Sequence, residues 1–409
     1  MKARCHPTRS SVGLVRKIDL KNFGSATART VRDINRRVVL NLIRKHQPIS
    51  RAEFARRARL QRSTVSAITE QLIADRWVTT GAPGDLPRGR KPTLIHFNGS
   101  RAGIIGIDLR PSETKIALAD LEMRILEQET IATDRDANRF IFRLCDRVCR
   151  LIKSHPHISC EGIGVALPGR IEPSSNRLVF APHLRWDAVD LTSPLTEATG
   201  FPVELENVAN ACALAEIGSK AHPENVLNLV AMTISEDVDV GMVLNGQLAR
   251  GTTGMAGEFG HVVIKEDGPL CNCGQRGCLE VFASNTSVLR YFSEVATRRN
   301  SETALPSFDS ILRMAEKGDR RACDSLNRVA HYLGVGVAMI KTGLSPDVIV
   351  LVGEVTRVWK HIGPVINNVV KERSGSIAKV RIIPAGPETR LRGAVALVAQ
   401  RHFGALHAF

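Results

Sequence analysis

Four side chains near the middle of the chain have the types and spacing to hold a metal ion. His261, Cys271, Cys273 and Cys278 follow the pattern GH-x9-C-x-C-x4-C. One imidazole and three thiolates suit tetrahedral Zn2+ closed to solvent, a structural rather than a catalytic arrangement. Gly274 and Gly277 let the backbone bend tightly between the ligands. A disulfide or buried thiols are the other readings of such a cluster, although Cys-x-Cys spacing strains a disulfide. Cys5, Cys145, Cys149, Cys160, Cys212 and Cys323 are scattered, and read as small apolar residues in a reducing compartment.

A second stretch, LENVANACALAE over 205–216, runs from the polar pair Glu206-Asn207 into a small-residue helix. A carboxylate at 208 would look like a general base at a helix start. The residue there is Val208, which cannot accept a proton.

The third group of interest is basic. Residues 1–100 hold 21 Lys and Arg against 6 Asp and Glu, a net of +15, whereas the other 309 residues balance at 35 of each sign. Such asymmetry points to a polyanion partner, most often nucleic acid, for the first quarter of the chain. Behind a basic, flexible tail (1–28), Val31, Ile34, Val38 and Leu42 form a helical stripe. Ser50-Arg51-Ala52-Glu53 is a capping box that starts a second helix, running to about Ala58. QRSTVSAITEQLI then makes a third, with Val65, Ile68 and Leu72 inward and Ser63, Ser66, Ala67 and Glu70 outward, Arg62 at the edge. Arg62, Ser63 and Ser66 suit phosphates and base edges in a groove. Trp77-Val78-Thr79 and Thr93-Leu94-Ile95 read as strands around PRGRKP, whose Arg88, Arg90 and Lys91 would lie along a minor groove or backbone. Residues 29–99 thus read as a winged helix-turn-helix for double-stranded DNA. The bland alternative is a helical protein-interaction module with a mobile basic loop.

These groups need elements to position them. GIIGIDLRPSETKIALAD (103–120) and VLNLVAMTISEDVDVGMVLNGQL (226–248) are both alternating apolar runs folded about turns. The repeated opening predicts a duplicated α/β lobe with a ligand cleft between the copies. Scarce aromatics, 4% of residues, agree with Val/Ile/Leu strands. No apolar run approaches the roughly 18 residues of a membrane span, so the expectation is a soluble cytoplasmic protein with no membrane partner.

Residues 30–405 resemble the ROK family (repressors, open reading frames and kinases), in its transcriptional-repressor branch. The resemblance is carried, in order, by SRAEFARRARLQRSTVSAITEQLI, GIGVALPGRIEP, APHLRW, LENVANACALAE, RGTTGMAGEFGHVVI, CNCGQRGCLE and PDVIVLVGEV. It implies an α/β fold in which the winged helix-turn-helix precedes a two-lobed actin-like domain of the sugar-kinase, ribonuclease H-like type. The first lobe is expected at 100–205 plus 385–409, and the second, with the zinc site, at 206–384. The resemblance also places Asn207, Glu258, His261 and Glu280 at hydroxyl-binding positions of a sugar site and supports zinc at the cysteines.

Against the kinases of the family, the chain departs where phosphate is handled. Val208 stands in place of the base, whose loss typically costs about 10²–10⁴ in rate. The first phosphate loop of the family reads Asp-x-Gly-Gly-Thr; here Asp108 is followed by Leu109-Arg110-Pro111-Ser112, with neither glycine, and the second loop carries Glu236, Asp237 and Asp239. A carboxylate about 5 Å from a phosphate costs roughly 3 kcal/mol per charge pair at an effective dielectric near 20. Glu354 follows Gly353 where a glycine pair is usual, and His183 stands where Asn is frequent. The expectation is a non-enzymatic regulator of carbohydrate genes, read as a repressor. It would bind an operator and a sugar-like effector as a homo-dimer or tetramer, with structural Zn2+ and no ATP. The competing readings are an active sugar kinase with an added DNA-binding domain, and a regulator answering to a protein partner.

Overall fold

The computed structural model describes residues 28–83, 93–219, 221–223, 225–296, 306–375 and 380–403. Arg88, Arg90 and Lys91, and tail residues 1–27, lie outside the described residues. The chain divides into two compact units. One comprises Met1–Val165, Asp190–Leu205 and Ala394–Phe409, the other Ala166–Val189 and Glu206–Gly393.

The first unit opens with α1 (Ala28–His46), β1 (Ile49–Ser50), α2 (Arg51–Ala58), α3 (Arg62–Ala74), β2 (Val78–Pro83) and β3 (Thr93–Phe97). The Ser50 side chain caps α2 by accepting from the Glu53 N–H at 3.2 Å, as the capping box requires. The strands form one antiparallel sheet in the order β1-β3-β2, in which β1 is an addition to the expected pair. On α1 the buried apolar residues are Val39, Leu40 and Ile43. The expected stripe is displaced: Val31 is 49% exposed and Leu42 sits at the edge of the core. The run VVLNLI carries two overlapping apolar stripes, and packing against α2, α3 and β3 selects one.

The next elements are β4 (Ala102–Leu109), β5 (Glu113–Asp120), β6 (Ile125–Ala132), α4 (Ala137–Ser154) and β7 (Ser159–Leu167). A small antiparallel sheet of β8 (Arg170–Glu172), β9 (Arg177–Ala181) and β10 (Trp186–Asp187) follows. Arg170 Nε donates to the Thr253 carbonyl at 3.0 Å, and Ala166–Val189 groups with the second unit, where the expectation from sequence is the first lobe. The chain then forms α5 (Thr192–Thr199), β11 (Val203–Asn207), α6 (Val208–Ile217), β12 (Leu229–Ile234), β13 (Val238–Leu244) and β14 (Gln247–Leu248). It ends with α7 (Glu280–Ala283), α8 (Asn285–Ala296), α9 (Phe308–Glu316), α10 (Arg320–Leu344), β15 (Val348–Val352), α11 (Trp359–Ser374), β16 (Arg381–Ala385) and α12 (Glu388–Phe403).

The duplication is visible in the topology. One five-stranded sheet has the order β6-β5-β4-β7-β11 and the other β14-β13-β12-β15-β16. In each, three strands in chain order meander to one edge and two later strands complete the other. Strands β12 and β15 are buried along their whole length, as expected of a sheet covered on both faces. Helices α8, α9, α10 and α11 bury their apolar sides with one face of that sheet. Small-residue α6 packs on β12 and β13 and is buried nearly all round. Close approach is the reason for its composition: a Cβ at Gly241 of β13 would lie 2.1 Å from the Ala209 carbonyl oxygen.

Candidate functional site

Strand β11 ends by delivering Asn207 to the N-cap of α6. Its Oδ1 accepts from the N–H groups of Ala209 (2.8 Å) and Asn210 (3.4 Å). Its Nδ2 donates to the Gly169 carbonyl (3.3 Å) and to Asp239 Oδ2 (3.2 Å). Glu206 braces this turn. Its Oε1 accepts from the Asn207 N–H (3.0 Å) and Asn210 Nδ2 (3.1 Å), and Arg250 Nε reaches Oε2 at 2.7 Å. Val208 has 0% exposure, so its side chain belongs to the core and lines no open surface.

Four carboxylates lie within one another's field on this side of the second unit. Asp239 is half-buried and Asp237 is buried, accepting from the Ser235 hydroxyl. Glu280, at the start of α7, is 5% exposed and accepts from the Val238 N–H at 3.4 Å. Burial, followed by the charges of Asp237 and Glu258, pushes the Asp239 carboxyl well above the ordinary range against the bond from Asn207. Burial also raises Glu258, with His261 opposing, and Glu280, where His261 and His183 oppose. His183 therefore stands close enough to act on this group.

His261 faces two ways. Its Nδ1 is 3.5 Å from Cys271 Sγ, and its Nε2 is 3.6 Å from Glu258 Oε2. The ligand atoms of His261, Cys271, Cys273 and Cys278 all lie within 4.8 Å of one another, and Cys273 Sγ is 3.6 Å from Cys278 Sγ. A tetrahedron with metal–sulfur bonds of about 2.3 Å has edges of about 3.8 Å, so the cluster has the dimensions to hold a metal. The loop is folded for it: the Cys271 N–H donates to the Gln275 carbonyl at 2.8 Å. A Cβ at Gly277, whose φ is 75°, would lie 1.6 Å from the Lys265 carbonyl oxygen. Burial pushes the Cys271 thiol up to about 12, a cost that a bound cation would reverse.

The two segments that correspond to the expected phosphate loops are closed by their own hydrogen bonds. Arg110 Nε donates to fully buried Asp108 at 2.7 Å, so the surviving aspartate is engaged by the residue standing in place of a glycine. In the second loop, the Ser235 N–H donates to the Asp237 carbonyl at 2.9 Å, leaving Glu236 exposed.

In the first unit, α3 presents Arg62, Ser63, Ala67 and Glu70 to solvent and half-buries Ser66. Val65, Ile68 and Leu72 are buried behind them, the division the helical period predicts. The Gln61 N-cap makes no side-chain bond, which leaves the first N–H groups of α3 open to an anion.

Sequence alone gives neither Glu206 nor Asp239 a ligand-binding role. Glu206 was noted only as half of a polar pair, and its link to Arg250 spans 44 positions. Asp239 was read as a repeller of phosphate. Strand periodicity held the missing signal: Asp239 shares a face of β13 with Gly241, which packs on the start of α6.

A winged helix-turn-helix ahead of two sheets of matching order, with a Cys3His cluster in the second, defines a winged-helix protein on the actin-like sugar-kinase fold. The chain belongs to the ROK family, whose pattern matches residues 104–401. It is 31% identical over 330 residues to the xylose repressor of Bacillus subtilis (strain 168), covering 78% of this chain and 82% of that protein. It is 30% identical over 266 residues to the glucokinase of Halalkalibacterium halodurans, covering 62% of this chain and 80% of that protein. Among solved structures, a ROK family transcriptional regulator described as a homolog of the E. coli MLC protein matches with a TM-score of 0.79. That match has 24% identity over 92% of this chain and 98% of the other. No described helix is long and apolar enough to cross a membrane.

Proposed function

We propose that this chain is a transcriptional regulator, a repressor of carbohydrate-metabolism genes, that binds DNA through its winged helix and senses a sugar through a ROK portion no longer able to transfer phosphate. The observation that carries this reading is the contrast within the ROK portion. Asp108 is locked onto Arg110 and the second phosphate loop is acidic, yet the polar group of Asn207, Glu258, His261 and Glu280 is kept. Similarity to a xylose repressor supports it. Arg62, Ser63 and Ser66 would meet DNA on α3, and Arg88, Arg90 and Lys91 on the wing. The sugar would lie beside Asn207, its hydroxyls bonded to the carboxylates and to His261 Nε2. Structural Zn2+ on Nδ1 and the three thiolates would hold His261 and Glu258 in place. A homo-dimer would set two α3 helices on half-sites about 34 Å apart, and sugar binding would bias a two-state equilibrium that matches or mismatches that spacing.

The competing reading is a sugar kinase with an added DNA-binding domain, favoured by the likeness to a glucokinase. A coupled assay of ATP consumption with pentoses, hexoses and amino sugars separates the two. The regulator reading predicts no turnover above background. Turnover near 1 s⁻¹ or faster, an ordinary enzymatic rate on the order of 1–10³ s⁻¹, would establish the kinase.

A further inference from the structure

We propose that Asp239 supplies the hydroxyl-binding carboxylate that residue 208 does not, and that the sugar held there is unphosphorylated. This rests on the sugar-sensing reading above and deepens it.

Three observations converge on Asp239. First, it is placed correctly: β13 turns Asp239 and Gly241 to the face that meets the start of α6, while Val238 and Val240 join the core behind. Asn207 Nδ2 donates to Asp239 Oδ2 at 3.2 Å, so an amide and a carboxylate stand side by side at the helix start. The carboxylate arrives from the neighbouring strand and not from α6, where Val208 is fully buried.

Second, Asp239 has capacity left over. It is half-buried, and among the described residues its Oδ1 accepts no hydrogen bond and no Arg, Lys or His pairs with it. A carboxylate serving only to brace Asn207 would gain from a cation or a second donor. Asp239 instead sits in the field of Asp237, Glu258 and Glu280. An ionisable group held at such cost, with only the Asn207 amide to compensate, fits a binding role.

Third, the surrounding charge selects the ligand. A neutral hydroxyl donates readily to a crowded carboxylate and relieves it. A phosphate would bring its charge into a group of four carboxyls, Asp237, Asp239, Glu258 and Glu280, that already disfavour one another's ionisation, and is disfavoured there.

The test is calorimetric titration of the full-length, zinc-loaded protein with D-xylose, D-glucose, N-acetyl-D-glucosamine and the 6-phosphates of the two hexoses. Wild type is compared with Asp239→Asn, Asp239→Ala and, as a control in the same loop, exposed Glu236→Gln. The proposal predicts that the sugar bound by wild type binds D239N at least about tenfold more weakly, as for loss of a charged acceptor. E236Q should match wild type and neither phosphate should bind. D239N keeps the side-chain shape and can still accept from Asn207, so it decides the matter even where D239A fails to fold. Affinity of D239N within twofold of wild type, tighter sugar binding by D239A, or preference for a phosphate would overturn the assignment. Absence of binding by wild type to any sugar would instead overturn the sugar-sensing reading itself.

Discussion

Asp239 and Cys273 are the residues at which the account is most exposed to test. The crowding of Asp239 has a pH signature. Its carboxyl is raised by burial and neighbouring charge, so the folded state holds the proton more tightly than the unfolded chain. That contribution to stability is full below the ordinary carboxylate range and is lost as pH rises through the raised value. Asp239→Asn removes the loss, so its melting temperature should gain on wild type between pH 5 and pH 8, by roughly 2–4 °C for about 1 kcal/mol. A constant difference across that range would contradict the placement of Asp239 among like charges. At the cluster, Cys273→Ser should reduce bound zinc, measured by elemental analysis, from about one per chain to well below it and lower the melting temperature. Purified wild type free of zinc, with C273S equally stable, would refute the metal reading. At this scale the sequence was most legible where chemistry is local. Cys271, Cys273 and Cys278 lie in one loop and His261 only ten positions before it, so spacing sufficed. The joining of Asn207 with Asp239, and of Glu206 with Arg250, depends on strands and helices far apart in the chain, and spacing alone does not reveal it.

At the level of elements, α3 and α12 carry separable roles. Arg62 is exposed at the first turn of α3, where the helix leaves N–H groups open. Arg62→Ala should weaken DNA binding and, if Arg62 meets phosphate, reduce the salt slope of log K by about 1, read from fluorescence anisotropy across salt concentrations. An unchanged affinity would remove Arg62 from the interface. Helix α12 ends inside the core of the winged helix. Phe403 is 2% exposed, its ring edge-on to Trp77 and Phe97 with centroids at 6.3 and 5.7 Å, and the Arg44 guanidinium lies 4.7 Å from its centroid. Asn41 Nδ2 donates to its carbonyl at 2.6 Å. Phe403→Ala should therefore destabilise the first unit by about 3–5 kcal/mol in denaturant unfolding. A loss under 1 kcal/mol would mean that the contact is dispensable. Helix and strand identities in the first hundred residues followed from capping and periodicity. The buried face of α1 did not, because overlapping stripes are resolved only by tertiary partners. Nor did the pairing of two-residue β1 with β3, which has too little sequence to leave a pattern.

For the whole molecule, the segregation of charge and the doubling of the lobe were both open to reading from sequence. The first follows from composition, and the second from repeated hairpins whose sheets prove to share one strand order. The allocation of Ala166–Val189 was not legible, because a small sheet of three short strands carries weak periodicity. A net positive charge confined to the first quarter, and a ROK-family portion beyond it, suggest a molecule that joins DNA to a sugar signal. The measurement that tests this most directly is anisotropy of the full-length protein on its own selected duplex, titrated with D-xylose, D-glucose and N-acetyl-D-glucosamine at fixed salt. The account predicts tight DNA binding that at least one free sugar changes by about tenfold or more, the range of an allosteric coupling of 1–3 kcal/mol. DNA affinity indifferent to every sugar, or no DNA affinity at all, would contradict it.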